Sequence, residues 1–273
     1  MSLVSIQERI RIIWAIAKKD LKLSFRFPKN FLASQLIQPL KLFIIFGLIY
    51  QSFYVATGKA TIGQWRRMDY LPILLLGTIF YSCATYAFYR FRWGFYNEKY
   101  WKTIQAFLIT PVSKLDFLIG SSIAIVVELS APVLCYLVLF YKYHPVSFPM
   151  LLFVLGILYL MILGTLGISL MQGAFVISNE NYLFVFDYAY AGLIFASCFF
   201  YSISAIPGSL RFLVELNPVY HAIDLARVVV FHHLHRSQIA FSISYLITFA
   251  VLMPVLGALF FRKIVREMGV RGF

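Results

Sequence analysis

Residues 100–120 read YWKTIQAFLITPVSKLDFLIG and lie between two segments apolar enough to span a bilayer. Trp101, Ile104, Phe107 and Leu108 recur at helical spacing, while Lys99, Lys102, Thr103 and Gln105 fall elsewhere around the axis, so the segment has one oily and one wet face. Thr110-Pro111 ends it, because the residue before a proline is pushed out of the α region. Ser113-Lys114-Leu115-Asp116 follows as a capping-box pattern: Ser113 accepts from a free N–H, and Asp116 sits on the positive end of the next helix dipole. The stretch reads as a charged helix over about 99–110, a stop, and a restart that heads into a membrane.

Composition agrees with that direction. Of 273 residues, 61% are apolar, 18% aromatic and only 13% charged. Together with a mean hydropathy of +0.81, this excludes an ordinary soluble domain and indicates an integral membrane protein. A net charge of +13 would suggest nucleic acid in a soluble chain, but here the basic residues flank apolar segments. Lipid headgroups and topology explain that pattern better, and no nucleic-acid partner is expected. Cys83, Cys135 and Cys198 lie inside apolar runs without CxxC spacing, as small buried hydrophobes.

Outward from the opening stretch, the chain reads as all-α and polytopic, with six transmembrane helices over about 31–55, 70–89, 117–141, 148–177, 182–206 and 239–261. Residues 1–30 precede them as an amphipathic interfacial helix: Ile6, Ile10, Ile13, Trp14, Ala17 and Leu21 form one stripe among seven basic residues, and Pro28 ends it. Between the fifth and sixth spans, residues 209–216 and 219–234 are apolar, helix-compatible and split by Asn217-Pro218. They suit a re-entrant helix pair, with Asp224 and Arg227 one turn apart. Gly164, Gly167, Ser169 and Gly173 give the fourth span a small-residue face for close helix packing.

Six spans put both termini on one side. Sixteen Lys and Arg residues lie there, counting the first segment, the loop around residue 100 and the tail, against seven on the other side. The positive-inside rule therefore places both termini and the opening stretch in the cytoplasm.

Two motifs, WKTIQAFLITPVSKLDFLIG after the second span and NPVYHAIDLARVVV before the last, resemble the membrane subunit of type-2 ABC exporters. That family includes O-antigen and teichoic acid exporters, nodulation-factor exporters and daunorubicin-type drug exporters. The six-span layout with a basic amphipathic N-terminus is similar too. The resemblance implies a cytoplasmic-membrane permease, homodimeric with a second copy of itself or heterodimeric, that pairs with two cytoplasmic ATPase subunits. It also implies that the helix formed by Tyr100, Trp101, Lys102, Thr103, Ile104, Gln105 and Leu108 is the coupling helix that fits a groove of the ATPase. The residues independently favour an external motor: no G-x-x-x-x-G-K-[ST] occurs, so no cofactor is expected on this chain, and ATP and Mg belong to the partner.

Intramembrane charges and ring-rich spans supply the candidate substrate path. Lys41 and Glu128 lie at similar depth, roughly 15 Å from the cytoplasmic ends of their spans, and are expected to pair within one subunit. Asp187, Tyr188 and Tyr190 enter the fifth span, and Phe199 and Tyr201 follow; rings with polar tips stack on sugar faces and tolerate lipid tails. The expected cargo is a lipid-linked saccharide or glycolipid. A hydrophobic drug or lipid is the near alternative, and a membrane transferase the distant one, since the eleven acidic residues are scattered. His232, His233 and His235 lack a clustered carboxylate or thiolate, so no metal site is expected.

Overall fold

A computed structural model of the chain describes residues 6–59, 61–62, 65–66, 69–102, 114–179, 181–231 and 236–271. The helices are α1 (Ile6–Ser24), α2 (Pro28–Thr57), α3 (Tyr70–Tyr100), α4 (Lys114–Tyr143), α5 (Phe148–Ser178), α6 (Tyr182–Phe195), α7 (Arg211–Glu215), α8 (Pro218–Phe231) and α9 (Arg236–Arg271). A minimal antiparallel ladder pairs Thr61–Ile62 with Trp65–Arg66. Most of the helix expected over 99–110 lies outside the described residues, as do His232, His233 and His235.

Among the described residues five helices, α2, α3, α4, α5 and α9, are long and apolar enough to cross a membrane. The fifth expected span is the exception. Its helix stops at Phe195, and 14 residues reach only roughly 21 Å, short of a hydrocarbon core of about 30 Å. Two tertiary anchors fix the break. Arg227 on α8 donates to the carbonyls of Cys198 and Phe199, and Cys198 takes a left-handed φ of 53°. Asn217 donates its amide to the Leu193 carbonyl at 2.8 Å and to Ser197 Oγ at 2.9 Å. The continuous helix expected over 182–206 is thus replaced by a short helix, a turn and a 3₁₀ turn, Ile203–Ala205, with a second 3₁₀ turn, Gly208–Leu210, following it.

The split at Asn217-Pro218 does occur, between α7 and α8. The Asn217 side-chain oxygen also accepts from the Val219 N–H, so this residue caps α8 while holding α6. His221 is buried beside it, donating from Nε2 to the Glu215 carbonyl at 2.7 Å with Ser242 Oγ at 3.1 Å from Nδ1. Asn217→Ala is expected to cost about 1–3 kcal/mol by orphaning buried partners, read as a shift in the denaturation midpoint at constant slope.

The core is built on α3 and α5. Most of the apolar window of α3 is buried, and α5 packs on α3, α8 and α9. The small-residue face sets those contacts: Gly164 lies against the Phe249 ring, Gly167 against the Met253-Pro254 backbone, and Gly173 against Phe95. Ser169 Oγ accepts from the Phe91 N–H at 3.0 Å. Phe95 also meets Phe117 and Phe261, which puts the start of α4 and the end of α9 together. Since α1 packs along α4, both ends of the chain sit at one end of the bundle.

Several expected ends move outward. α3 runs three turns past residue 89 to Tyr100, because charged residues end an apolar run without ending a helix and no proline intervenes. It stops where Trp101 leaves the helix and Lys102 turns left-handed at φ 58°. α1 divides its expected stripe: Ile13 and Ala17, together with Ile16, pack on α4 at Gly120, where a Cβ would come within 2.7 Å of the Ile13 carbonyl oxygen. Ile6, Ile10 and Trp14 point outward and stay exposed.

Candidate functional site

The site begins with a proline. Pro39 has no N–H, so an α-helical ladder through it would leave the Gln35 carbonyl without its donor. α2 widens there into a π-turn over Ala33–Ile37, in which the Gln38 N–H reaches back five residues to the Ala33 carbonyl. Tyr136 of α4 donates to the Leu36 carbonyl at 2.6 Å and fixes the widened turn.

Beside this turn α2 and α3 enclose a cleft of about 490 Å³. Gln35, Gln38 and Lys41 line it from α2, and Tyr81, Ser82, Thr85, Tyr86, Tyr89 and Trp93 from α3. Tyr81, Thr85 and Tyr89 recur every fourth residue, so one helical face carries all three. The lining offers amides, hydroxyls, ring faces and one ammonium. That set suits the holding of hydroxyl-bearing rings rather than proton transfer.

α6 backs the α3 residues of the cleft from behind. Tyr190 donates to Thr85 Oγ1 at 2.5 Å and packs on Phe88 and Tyr89 at 4.2 and 4.9 Å. Asp187 accepts from Tyr89 at 3.2 Å and pairs with Arg92 at 2.8 Å, and the buried Arg92 guanidinium lies 4.4 Å from the Tyr89 ring centroid. Higher up, Tyr81 meets Phe199 edge-on at 5.7 Å, and Phe200 stacks on Phe46 at 4.5 Å.

Glu128 sits behind the cleft, fully buried, and accepts from Ser24 of α1 and from Tyr86 and Arg90 of α3, the last at 3.2 Å. The pair expected between Lys41 and Glu128 is therefore not formed. The helical continuation of α3 places Arg90 one turn beyond Tyr86, and that cation takes the carboxylate. Two further links tie α1 to α4: Arg9 to Asp116 at 2.8 Å, and Ser121 to Asp20 at 2.7 Å.

Of the residues expected on the substrate path, Lys41 lines the cleft, and Asp187 and Tyr190 back it through Tyr89 and Thr85. Glu128 touches it only through Tyr86, and Phe199 only through Tyr81. Tyr188 points away and is exposed, and Tyr201 donates to its own chain at Phe195. Gln35, Gln38, Tyr81, Tyr86, Tyr89 and Trp93 were not singled out by sequence, although the four-residue stripe on α3 was visible there. Of the residues expected to face a motor, Tyr100 and Trp101 end α3 as exposed rings in edge contact at 5.4 Å, and Lys102 makes the turn. Thr103, Ile104, Gln105 and Leu108 lie outside the described residues.

Residues 11–231, most of the chain, match the family model described as ABC-2 type transporter. No curated protein matches the chain.

Proposed function

The chain belongs to the ABC-2 type transporter family, and from that premise we propose that it is the permease subunit of an ATP-driven exporter that moves a lipid-linked saccharide or other glycolipid outward across the cytoplasmic membrane. The observation that carries the choice of cargo is the cleft between α2 and α3, where amides, tyrosine hydroxyls and ring faces converge within the spans. Sugars present hydroxyls at their edges and C–H faces above and below, and this lining meets both.

The motor lies on a separate subunit, two copies of which bind ATP and Mg. Lys and Arg are concentrated at the end of the bundle that holds both chain ends, which favours a cytoplasmic location for that end. There the Tyr100–Trp101 rings and residues 103–110 receive the ATPase. A second copy of the chain completes the permease, in keeping with the exposed apolar residues Ile44, Leu48 and Phe53 on α2 and Phe184 and Phe195 on α6. A hydrophobic drug or lipid cargo is the second reading, favoured by an apolar groove of about 520 Å³ among α4, α5 and α9.

The test is copurification and coupling. Wild-type chain is expected to copurify with its ATPase and to show ATP hydrolysis stimulated by a glycolipid more than by a hydrophobic cation. The variant Trp101→Ala/Ile104→Asp is expected to lose at least tenfold of the bound ATPase, as removal of a central anchor of a helix-in-groove contact does. Retained assembly with coupled hydrolysis in that variant would rule out the coupling role, and stimulation by the cation alone would favour the drug reading.

A further inference from the structure

We propose that Lys41 is an anion subsite within the cleft, so that the cargo carries a negative charge, as phosphate or carboxylate, next to its sugar rings; this rests on the glycolipid reading above. Lys41 is exposed and lines the α2–α3 cleft together with Gln35 and Gln38. The carboxylates nearest this region are committed elsewhere: Glu128 to Arg90, Tyr86 and Ser24, and Asp187 to Arg92 and Tyr89. Among the described residues no carboxylate lies within ion-pair distance of the Lys41 ammonium. The cleft therefore carries a positive charge with no ion-pair partner among the described residues, beside donors that can hold an anion's remaining oxygens: the amides of Gln35 and Gln38 and the hydroxyl of Tyr81.

Depth selects the source of the anion. Lys41 lies 13 residues after Pro28, so at the helical rise it stands roughly 20 Å along α2, near the middle of a span. Bilayer phosphates stay at the two surfaces, about 30 Å apart across the hydrocarbon core. An anion that reaches this depth is one in transit. A basic side chain at this depth with no ion-pair partner among the described residues is explained by a ligand that supplies the partner intermittently.

Purified chain in phosphatidylcholine nanodiscs would be titrated with dodecyl maltoside and with its sugar-phosphorylated counterpart. Binding is read from the fluorescence of Trp93, which lines the cleft, in a background with Trp14, Trp65 and Trp101 replaced by phenylalanine. The phosphorylated probe is expected to bind about tenfold tighter than the neutral one, the worth of one charge-assisted contact. Lys41→Gln is expected to bring the ratio of the two affinities to about one, and Lys41→Arg to keep the preference. Equal binding of the two probes by the wild type, or a preference that survives Lys41→Gln, overturns the anion subsite alone. Failure of both probes to bind overturns the glycolipid reading as well. Displacement of the phosphorylated probe by equimolar phosphatidylglycerol would make the site one for bilayer headgroups and overturn its assignment to cargo.

Discussion

Glu128→Ala is expected to lower the stability of the chain by about 3–5 kcal/mol, the cost of stranding the partner of a buried ion pair. The carboxylate is fully buried and accepts from three side chains on two helices, Ser24 of α1 and Tyr86 and Arg90 of α3. Removing it leaves the Arg90 guanidinium, only 26% exposed, without its counter-charge, and leaves two hydroxyls without their acceptor. The measurement is a denaturation series in detergent micelles, with Glu128→Ala set beside the double variant Arg90→Met/Glu128→Leu. The double variant is expected to recover most of the loss, because neither charge then has to be buried. A charged cavity of about 340 Å³ reaches Ser24 and Arg90, so a cost below about 1 kcal/mol for Glu128→Ala would mean that water solvates the pair as it does at a surface.

Gly167→Leu is expected to cost about 3 kcal/mol by overpacking. Side chains move aside more readily than backbone, and the neighbours of Gly167 are the Met253 carbonyl and the Pro254 nitrogen on α9. The contact is reciprocal: a Cβ on Gly257 would lie 2.5 Å from the Gly167 carbonyl oxygen. A branched side chain at either position would have to push α5 and α9 apart along their whole contact. Gly164→Ala faces the Phe249 ring and is expected to cost less, since a ring can turn. Gly156→Leu is the control: it has no neighbour within 4 Å and is expected to change stability by no more than about 0.5 kcal/mol. Melting temperatures of the three variants in one detergent would rank them, and a Gly167→Leu variant as stable as Gly156→Leu would contradict the close packing of α5 on α9.

Much of this was legible in the residues. The α5 boundaries fall within one residue of the apolar run that predicts them, because Pro149 at the start and Asn179 at the end are local signals. The small-residue face of α5 was legible for a similar reason: glycines at helical spacing in an apolar segment have few uses other than close approach. The site was legible only in part. Lys41 stands out as a charge in a span, but its neighbours Gln35, Tyr81 and Trp93 resemble ordinary interfacial or packing residues until α2 and α3 are laid side by side. Glu128 was also conspicuous, yet its partner was misread. Hydropathy ends the second span near residue 89 and makes Arg90 and Arg92 loop residues, whereas the helix continues and turns both cations inward.

The fifth span shows where local reading stops. Residues 182–206 are mostly apolar, and no proline among them ends a helix at Phe195. The break depends on Arg227 and Asn217, which bind carbonyls 24 to 29 positions away in sequence. By itself the sequence determined membrane residence, the helical class and the five long spans, because length, hydropathy and helix-ending residues act within one segment. Only the tertiary structure decided which charges pair, where the fifth helix breaks and which side chains line the cleft between α2 and α3. Those outcomes are contests among distant groups for the same carbonyl or carboxylate, and the winner is set by which helices come to lie together.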